Sequence, residues 1–321
     1  MRFLAIWVSL ATAFAAVDGT VQNRTTGKPQ AGAMVLLFRM GQAGPEMLAS
    51  TKTDAEGRFS FAQAVQEGPH LLEAPYAGVT YNLMLPPGTP TSGLQLEVFD
   101  SSNQPGRARL AQHMVLLEPT GQQLNVSEVF FFSNDGNLSY HDPANGTLRF
   151  FVPAAAKDSV KVMAQAPGGM PVERASEPAG PPDVYKLNFA IKPGETRIDV
   201  AYAMPFTSPG IFSGRLFARG VPTRLAAPAG VTLSGEGLKA LPPEANTQAG
   251  FYEVSAAEYQ VNVAGAGSLR AASEDAGDEG GPAIEQILPR VYDRLALILI
   301  PALAALALGF TLLYRRGEQR G

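Results

Sequence analysis

The three histidines are the side chains of this chain best suited to acid–base chemistry near neutral pH or to metal binding. They stand at His70, His113 and His141, no pair of them has a spacing typical of a zinc site, and there is no cysteine to add a ligand. No Gly-x-Ser-x-Gly segment positions a serine nucleophile. We therefore predict no catalytic residue, no metal site and no cofactor, and we expect that the protein is not an enzyme.

Consecutive phenylalanines are the second feature that points to a function, because exposed aromatic rings contact sugars and apolar partners. A strand through Phe130, Phe131 and Phe132 would place the middle ring on the face opposite its neighbours. Phe150 and Phe151 repeat this pattern, and we expect them on a partner strand. Phe131 and Phe151 are thus candidate binding residues; packing between domains is the alternative interpretation of the same rings.

Charge and cysteine content restrict the class of partner. The net charge is −4, and no basic patch alternates with aromatic residues, so nucleic acid is a poor candidate. The lack of cysteine means that the fold must be held by apolar cores without disulfides. Four Asn-x-Ser/Thr sequences occur, and the sequence leaves open whether they ever carry glycans; they begin at Asn23, Asn125, Asn137 and Asn145.

Both ends of the chain indicate a membrane setting. Residues 1–15 combine Arg2, a short apolar run and small residues at Ala13 and Ala15, which is typical of a signal peptide cleaved after Ala15. Residues 295–314 form an uncharged apolar run, and about 20 helical residues cross a bilayer core of ~30 Å. We predict a single-pass cell-membrane protein whose bulk is extracytoplasmic, periplasmic or extracellular, with residues 315–321 as a cytoplasmic stub.

Two short segments precede the predicted span. Residues 265–283 are mostly Ala, Gly, Ser, Asp and Glu, with Leu269 as the one large apolar residue, so we predict an acidic flexible linker. Residues 284–294 have apolar residues at helical spacing and are predicted to form a juxtamembrane amphipathic segment.

The residues between the two hydrophobic ends predict an all-β fold. Short apolar or alternating runs recur between clusters of Gly, Pro, Asn and Asp, a pattern typical of β-sandwiches. One of these segments, residues 191–202, also predicts a hairpin whose turn lies at Pro193 and Gly194. We predict tandem β-sandwich domains at residues 16–100 and 101–264, with one C-terminal transmembrane helix. A small third β subdomain from about residue 215 is left open.

A family resemblance rests on four sequence blocks in the N-terminal region. They are VDGTV at 17–21, TGKPQAGAMV at 26–35, TDAEGRFSF at 53–61 and GPHLL at 68–72. In this order they resemble the carboxypeptidase regulatory-like domain, a transthyretin-like seven-strand sandwich, over roughly residues 17–100. The family usually has Tyr soon after the glycine of the last block, where this chain has His70 and Leu71.

The resemblance implies an accessory module rather than a peptidase. A metallocarboxypeptidase needs a separate catalytic domain with a His-x-x-Glu zinc motif, and we expect no such motif here. The residues support the fold independently of the family name. Asp54 can accept hydrogen bonds from the next backbone amides, and a left-handed Gly57 would let Phe59 and Phe61 enter the core together. A calcium role for Asp54 and Glu56 is less favoured than a structural turn, because calcium prefers more carboxylates.

Two functions are compatible with these observations. The first is a non-catalytic, membrane-anchored envelope protein whose sandwiches bind another protein, such as an assembly partner. The second is a carbohydrate- or cell-wall-binding module in which exposed aromatic rings stack on a polysaccharide. An exposed coplanar pair of aromatics on one sheet face would favour the second function, and an apolar edge or groove without such a pair would favour the first.

Overall fold

A computed structural model describes residues 17–41, 44–62, 68–218, 220–242, 247 and 249–269. The chain divides into two units, residues 1–270 and 271–321, and all of the described residues belong to the first. Within these ranges no helix has the length and hydropathy needed to cross a membrane. The predicted signal peptide, the juxtamembrane segment, the span and the stub lie outside the described residues.

The N-terminal region is built from two four-stranded sheets that enclose one apolar core. One sheet has β1 at its centre, paired with β2, β5 and β8, and the other has the order β4-β3-β6-β7. We call this region the N-terminal sandwich. Its strands are β1 (Val17–Asn23), β2 (Lys28–Pro29), β3 (Met34–Gly41), β4 (Gly44–Lys52), β5 (Arg58–Phe61), β6 (His70–Tyr76), β7 (Val79–Leu85) and β8 (Leu94–Val98).

The local predictions for this sandwich are confirmed. The Asp54 carboxylate accepts hydrogen bonds from the backbone amides of Glu56 and Arg58, and Gly57 has a φ of 73°. This left-handed turn delivers Phe59 and Phe61 to the core, where each is 3% exposed. A Cβ at position 57 would lie within 3 Å of neighbouring atoms, so glycine is required there for space as well as for φ.

The second region consists of an eight-stranded sheet and a facing layer of shorter sheets. The large sheet has the order β15-β14-β18-β11-β10-β20-β23-β22, and the facing layer contains β13-β17-β16 and β19-β24-β21. We call this region the C-terminal sandwich. Its elements are β9 (Ser101–Ser102), β10 (Ala108–Thr120), β11 (Gln123–Asn134), β12 (Ser139–Tyr140), β13 (Leu148–Phe151), a 3-10 helix (Ala154–Ser159), β14 (Lys161–Gln165), β15 (Val172–Glu173), β16 (Glu177–Pro178), β17 (Val184–Leu187), β18 (Gly194–Pro205), β19 (Gly210–Arg215), β20 (Thr223–Ala227), β21 (Val231–Ser234), β22 (Lys239–Ala240), β23 (Gly250–Val254) and β24 (Glu258–Gly265).

One apolar core fills the C-terminal sandwich from residue 108 to residue 263. Residues on both sides of position 215 contribute to it, including Phe150, Phe212 and Val261. The expected hairpin at Pro193 and Gly194 is wrong: Ile191 forms only an isolated bridge with Tyr140, and β18 pairs with β11 and β14. Strand pairing is non-local here, so a local turn signal did not predict it.

Two short segments lie at the predicted boundaries of the second domain. Ser101–Ser102, at its predicted start, forms β9 and pairs with β12. At the other end, residues expected to begin the flexible linker are held to β10: Ser268 Oγ and the Leu269 amide donate to Glu118 Oε1 at 2.8 and 2.6 Å. A buried carboxylate therefore fixes the chain immediately after β24.

Candidate binding surface

Strand β3 carries apolar side chains on both of its faces. Val35 and Leu37 enter the core and are 0% and 1% exposed. The alternation of a strand sends the intervening side chains to the opposite face of the sheet. Those side chains are also apolar: Met34, Leu36, Phe38 and Met40.

The neighbouring strands widen this apolar face across the whole sheet. The register aligns Met47 of β4, Phe38 of β3, Leu71 of β6 and Met84 of β7 in one row. None of these side chains belongs to the core between the two sheets. We define the methionine face as Met34, Leu36, Phe38, Met40, Met47, Leu71 and Met84; it holds four of the nine methionines of the chain.

The methionine face is accessible to a partner. Met47 is 61% exposed and Met34 is 43% exposed, while the other five side chains are half-buried. Methionine is unbranched and polarisable, so such a surface adapts to the shape of a bound apolar side chain. Contiguous apolar patches on a folded surface commonly mark interaction sites.

The edge of this sheet is protected against pairing with another strand. The outer strand β4 begins at Gly44 followed by Pro45, carries Glu46 and Lys52, and contains a bulge opposite Leu37 and Phe38. Proline, charges and bulges are the devices by which proteins block edge-to-edge pairing. A partner is therefore expected to pack on the face rather than extend the sheet.

The C-terminal sandwich borders one side of the methionine face. Lys192 Nζ donates to the carbonyl oxygen of Thr80 on β7 at 2.6 Å and lies 5.0 Å from the ring centroid of Tyr81. Burial lowers the pKa of Lys192 to about 8, with nearby Glu73 opposing this shift. The Tyr81 hydroxyl donates to the Phe99 carbonyl oxygen and lies 2.8 Å from Ser139 Oγ.

Glu73 lies at the border between the methionine face and the C-terminal sandwich, which we call the rim. It lies between Leu36 and Asn82 in the register of β3, β6 and β7. Burial raises the pKa of its carboxyl group above the usual value. The positive charges of Lys192 and Arg174 oppose this shift but do not cancel it. Cations from the C-terminal sandwich thus flank Glu73 at the border of the methionine face.

The two candidate phenylalanines lie on different sheets. Phe131 projects from β11 on the outer face of the eight-stranded sheet, whereas Phe130 and Phe132 are buried, as the alternation predicts. The Arg197 guanidinium covers the Phe131 ring at 5.6 Å and is itself bound by Asp199. Phe151 is half-buried on β13, opposite Val184.

The expectation that the two phenylalanine strands are partners is wrong. β13 pairs with β17 in the facing layer, and β11 pairs with β10 and β18. The structure therefore does not bring Phe131 and Phe151 together. Phe217, at 37% exposure, is the only described Phe, Tyr or Trp side chain that is exposed rather than buried or half-buried. The Arg215 guanidinium lies over its ring.

His70 requires a correction to the motif expectation. His70-Leu71-Leu72-Glu73 does have the His-x-x-Glu spacing that was expected to be absent. Both residues lie on β6, where positions three apart point to opposite faces: His70 is 2% exposed in the interior and Glu73 is on the outer face. The pair cannot ligate one metal ion, and the described residues contain no group of three metal-ligating side chains.

His113 belongs to a buried polar network that sequence reasoning missed. Its Nε2 lies 3.3 Å from Glu128 Oε2, and its Nδ1 lies 2.9 Å from Thr223 Oγ1. The Tyr202 hydroxyl donates to Glu128 Oε1 at 2.8 Å, and the His113 ring stacks on Phe130. Burial and the Glu128 carboxylate raise the pKa of Tyr202, so this hydroxyl remains a donor.

The network is enclosed, since His113 is 2% and Glu128 is 6% exposed. No substrate can reach it, and its chemistry is the mutual satisfaction of polar groups within the core. The signal in the sequence was Glu128 itself, which occupies a core-facing position between Val126 and Phe130 in an alternating strand.

The remaining candidates have local structural roles. His141 Nε2 lies 2.8 Å from Asn188 Oδ1. The Arg58 backbone amide holds the pKa of Asp54 below its usual range, and the Arg58 guanidinium binds both Asp54 and Glu56. Of the four Asn-x-Ser/Thr positions, Asn23 is 2% exposed and its amide donates to Asp100, so its side chain is inaccessible to modification.

Comparisons with known proteins give little further information. No protein-family model matches the chain, and no curated protein matches it either. Among solved structures, an M1 zinc metallopeptidase from Deinococcus radiodurans matches with a TM-score of 0.27 and 11% identity, covering 48% of this chain and 42% of that one. A mutant of the peptidase bound to a Tyr-Ser-Ala substrate matches over the same shares with a TM-score of 0.26 and 12% identity. Similarity at this level carries no conclusion about fold or activity.

Proposed function

We propose that this chain is a non-catalytic, membrane-anchored envelope protein whose extracytoplasmic β-sandwiches bind another protein. In this proposal residues 17–100 form the carboxypeptidase regulatory-like module, and residues 295–314 anchor it to the membrane from its C-terminal side. The observation that carries the proposal is the methionine face, an accessible apolar surface on a sheet whose edge is protected.

Energetics favour a binding role for this face. Apolar surface removed from water contributes about 25 cal/mol per Å², so an uncovered row of Met, Leu and Phe side chains leaves stabilisation unused in the isolated chain. A partner that covers Met47, Phe38 and Leu71 recovers it. The core beneath is complete without them, because Val35, Leu37 and Leu72 are all fully buried.

The aromatic alternative has less support. Sugar-binding platforms require open ring faces, and the Phe131 face is covered by Arg197. The stacked pair Phe150 and Tyr185 has one ring only 1% exposed, so it offers no open platform. A protein partner is therefore the better-supported ligand.

Affinity capture from solubilised membranes tests the proposal with a double variant, Met34→Glu/Met47→Glu. Both positions are exposed, so folding is preserved while the apolar face gains two charges. Ile211→Glu is the matched control, since Ile211 is 60% exposed on the C-terminal sandwich. We expect the wild type and the control to enrich the same protein, and the double variant to enrich it at least tenfold less.

Two outcomes would overturn the proposal. One is equal enrichment of proteins by the wild type and the double variant. The other is no protein enrichment at all together with retention of the chain on cell-wall polysaccharide, which would favour the carbohydrate-binding alternative.

A further inference from the structure

The methionine face has the dimensions of a sheet that lacks its covering layer. Its four strands lie ~4.8 Å apart, so the outer strands β4 and β7 are separated by about 15 Å. An α-helix with its side chains is about 10–12 Å wide, and a helix packed on a sheet is one of the standard two-layer arrangements. One helix therefore fits the face, whereas the protected edge disfavours an added strand.

The charges beside this face are predominantly positive. Lys52 is exposed on β4 in register with Met34, and Arg174 is exposed on the C-terminal sandwich, where its positive charge acts on the Glu73 carboxylate. Neither cation forms an ion pair with a carboxylate among the residues that the structure describes. Among the described residues that border the face, Glu46 is paired with Arg39, so Lys52, Arg174 and Lys192 outnumber the remaining carboxylate, Glu73.

We infer that the partner places an amphipathic α-helix with acidic flanks on the methionine face, its apolar stripe covering Phe38 and Leu71 and its carboxylates facing Lys52 and Arg174. This inference rests on the proposed function and specifies the chemistry of the partner. A second copy of the chain fits less well, because it would bring its own Lys52 and Arg174 towards a rim that is already cationic. Charge complementarity of this kind mainly determines which partner is accepted and how fast it associates.

The inference can be tested with two synthetic 18-residue helices that share one leucine stripe. One probe carries Glu on its flanks and the other carries Lys. Binding of each labelled probe to the full-length chain in nanodiscs of zwitterionic lipid is measured by fluorescence anisotropy at 50 mM salt, with empty nanodiscs as the blank. We expect the acidic probe to bind the wild type at least tenfold more tightly, and this preference to weaken at 500 mM salt.

Charge reversal supplies the decisive variant. Lys52→Glu/Arg174→Glu changes two exposed residues and should invert the preference, so that the basic probe binds more tightly. Lys161→Glu is the control, because Lys161 is an exposed cation on the eight-stranded sheet, and it should leave the preference unchanged.

Equal affinity for the two probes, or an unchanged preference in the double charge reversal, would overturn the inference. So would a wild-type chain that self-associates through this face, seen as dimerisation lost in Met34→Glu/Met47→Glu. If the capture experiment still depends on the methionine face while the probes bind equally, the proposed function stands and only the acidic helix fails.

Discussion

The two sandwiches distribute their apolar and polar side chains in opposite ways. The N-terminal sandwich has an apolar core and also presents apolar side chains on the outer face of one sheet. The C-terminal sandwich encloses His113 and Glu128 within its core and carries charged residues, among them Arg197 and Asp199, on the outer face of its large sheet.

This contrast assigns different roles to two sets of residues: those in the C-terminal core determine stability, and those on the methionine face serve recognition. Apolar residues beyond those needed for a core create a surface that gains from being covered. Polar residues inside a core create positions where a single substitution leaves unsatisfied groups. We therefore expect substitutions inside the C-terminal sandwich to change folding, and substitutions on the methionine face to change binding alone.

The largest effect is expected from Glu128→Leu. It removes the buried carboxylate that faces His113 Nε2 and accepts from the Tyr202 hydroxyl, and each buried polar group left unsatisfied costs roughly 1–3 kcal/mol of unfolding free energy. Urea unfolding of the full-length chain, followed by pulse proteolysis, measures this loss.

Glu46→Leu is the matched control on the N-terminal sandwich. Its ion pair with Arg39 is solvent-exposed, so the expected loss is below about 1 kcal/mol. Equal losses at positions 128 and 46 would contradict the assignment of the stability-determining polar network to the C-terminal core.

An intermediate effect on the unfolding free energy is expected when the pH is raised, because Lys192 lies at the junction of the two sandwiches. The pKa of Lys192 is lowered to about 8 from an ordinary value near 10.5, so between these pH values the folded chain has lost a proton that the unfolded chain retains. Stability should therefore rise with pH across this window, by about 2 kcal/mol between pH 7.5 and 9.5.

The measurement compares urea unfolding at pH 7.5 and 9.5 in the wild type and in Lys192→Met. The gain should be present in the wild type and lost in the variant. Burial raises the pKa of Tyr81 to about 12, so its contribution lowers stability only above about pH 10 and does not mask the effect. A gain of equal size in Lys192→Met would show that another group is responsible.

The smallest effect on folding is expected on the methionine face itself. Met34→Gln/Met47→Gln removes little buried surface, so the unfolding free energy should change by less than about 0.5 kcal/mol. The same double variant should reduce capture of the protein partner. A loss of several kcal/mol would mean that these methionines stabilise the fold instead of serving recognition.

The sequence alone determined the local features of this protein. Alternation predicted that Phe131 would face away from Phe130 and Phe132, and the spacing of Asp54 and Gly57 predicted the turn that delivers Phe59 and Phe61 to the core. These features depend on backbone geometry over a few residues, which the residue types specify directly.

Only the tertiary structure decided which strands meet and which faces are covered. His113 reaches Thr223 because β10 pairs with β20, more than 100 residues away, and the methionine face gathers side chains from four strands. Backbone hydrogen-bonding groups are the same in every strand, so local residue patterns do not reveal the order of the strands. The run from Met34 to Met40 carries apolar side chains on both faces, and the packing of the second sheet on one of them distinguishes the core from the exposed surface.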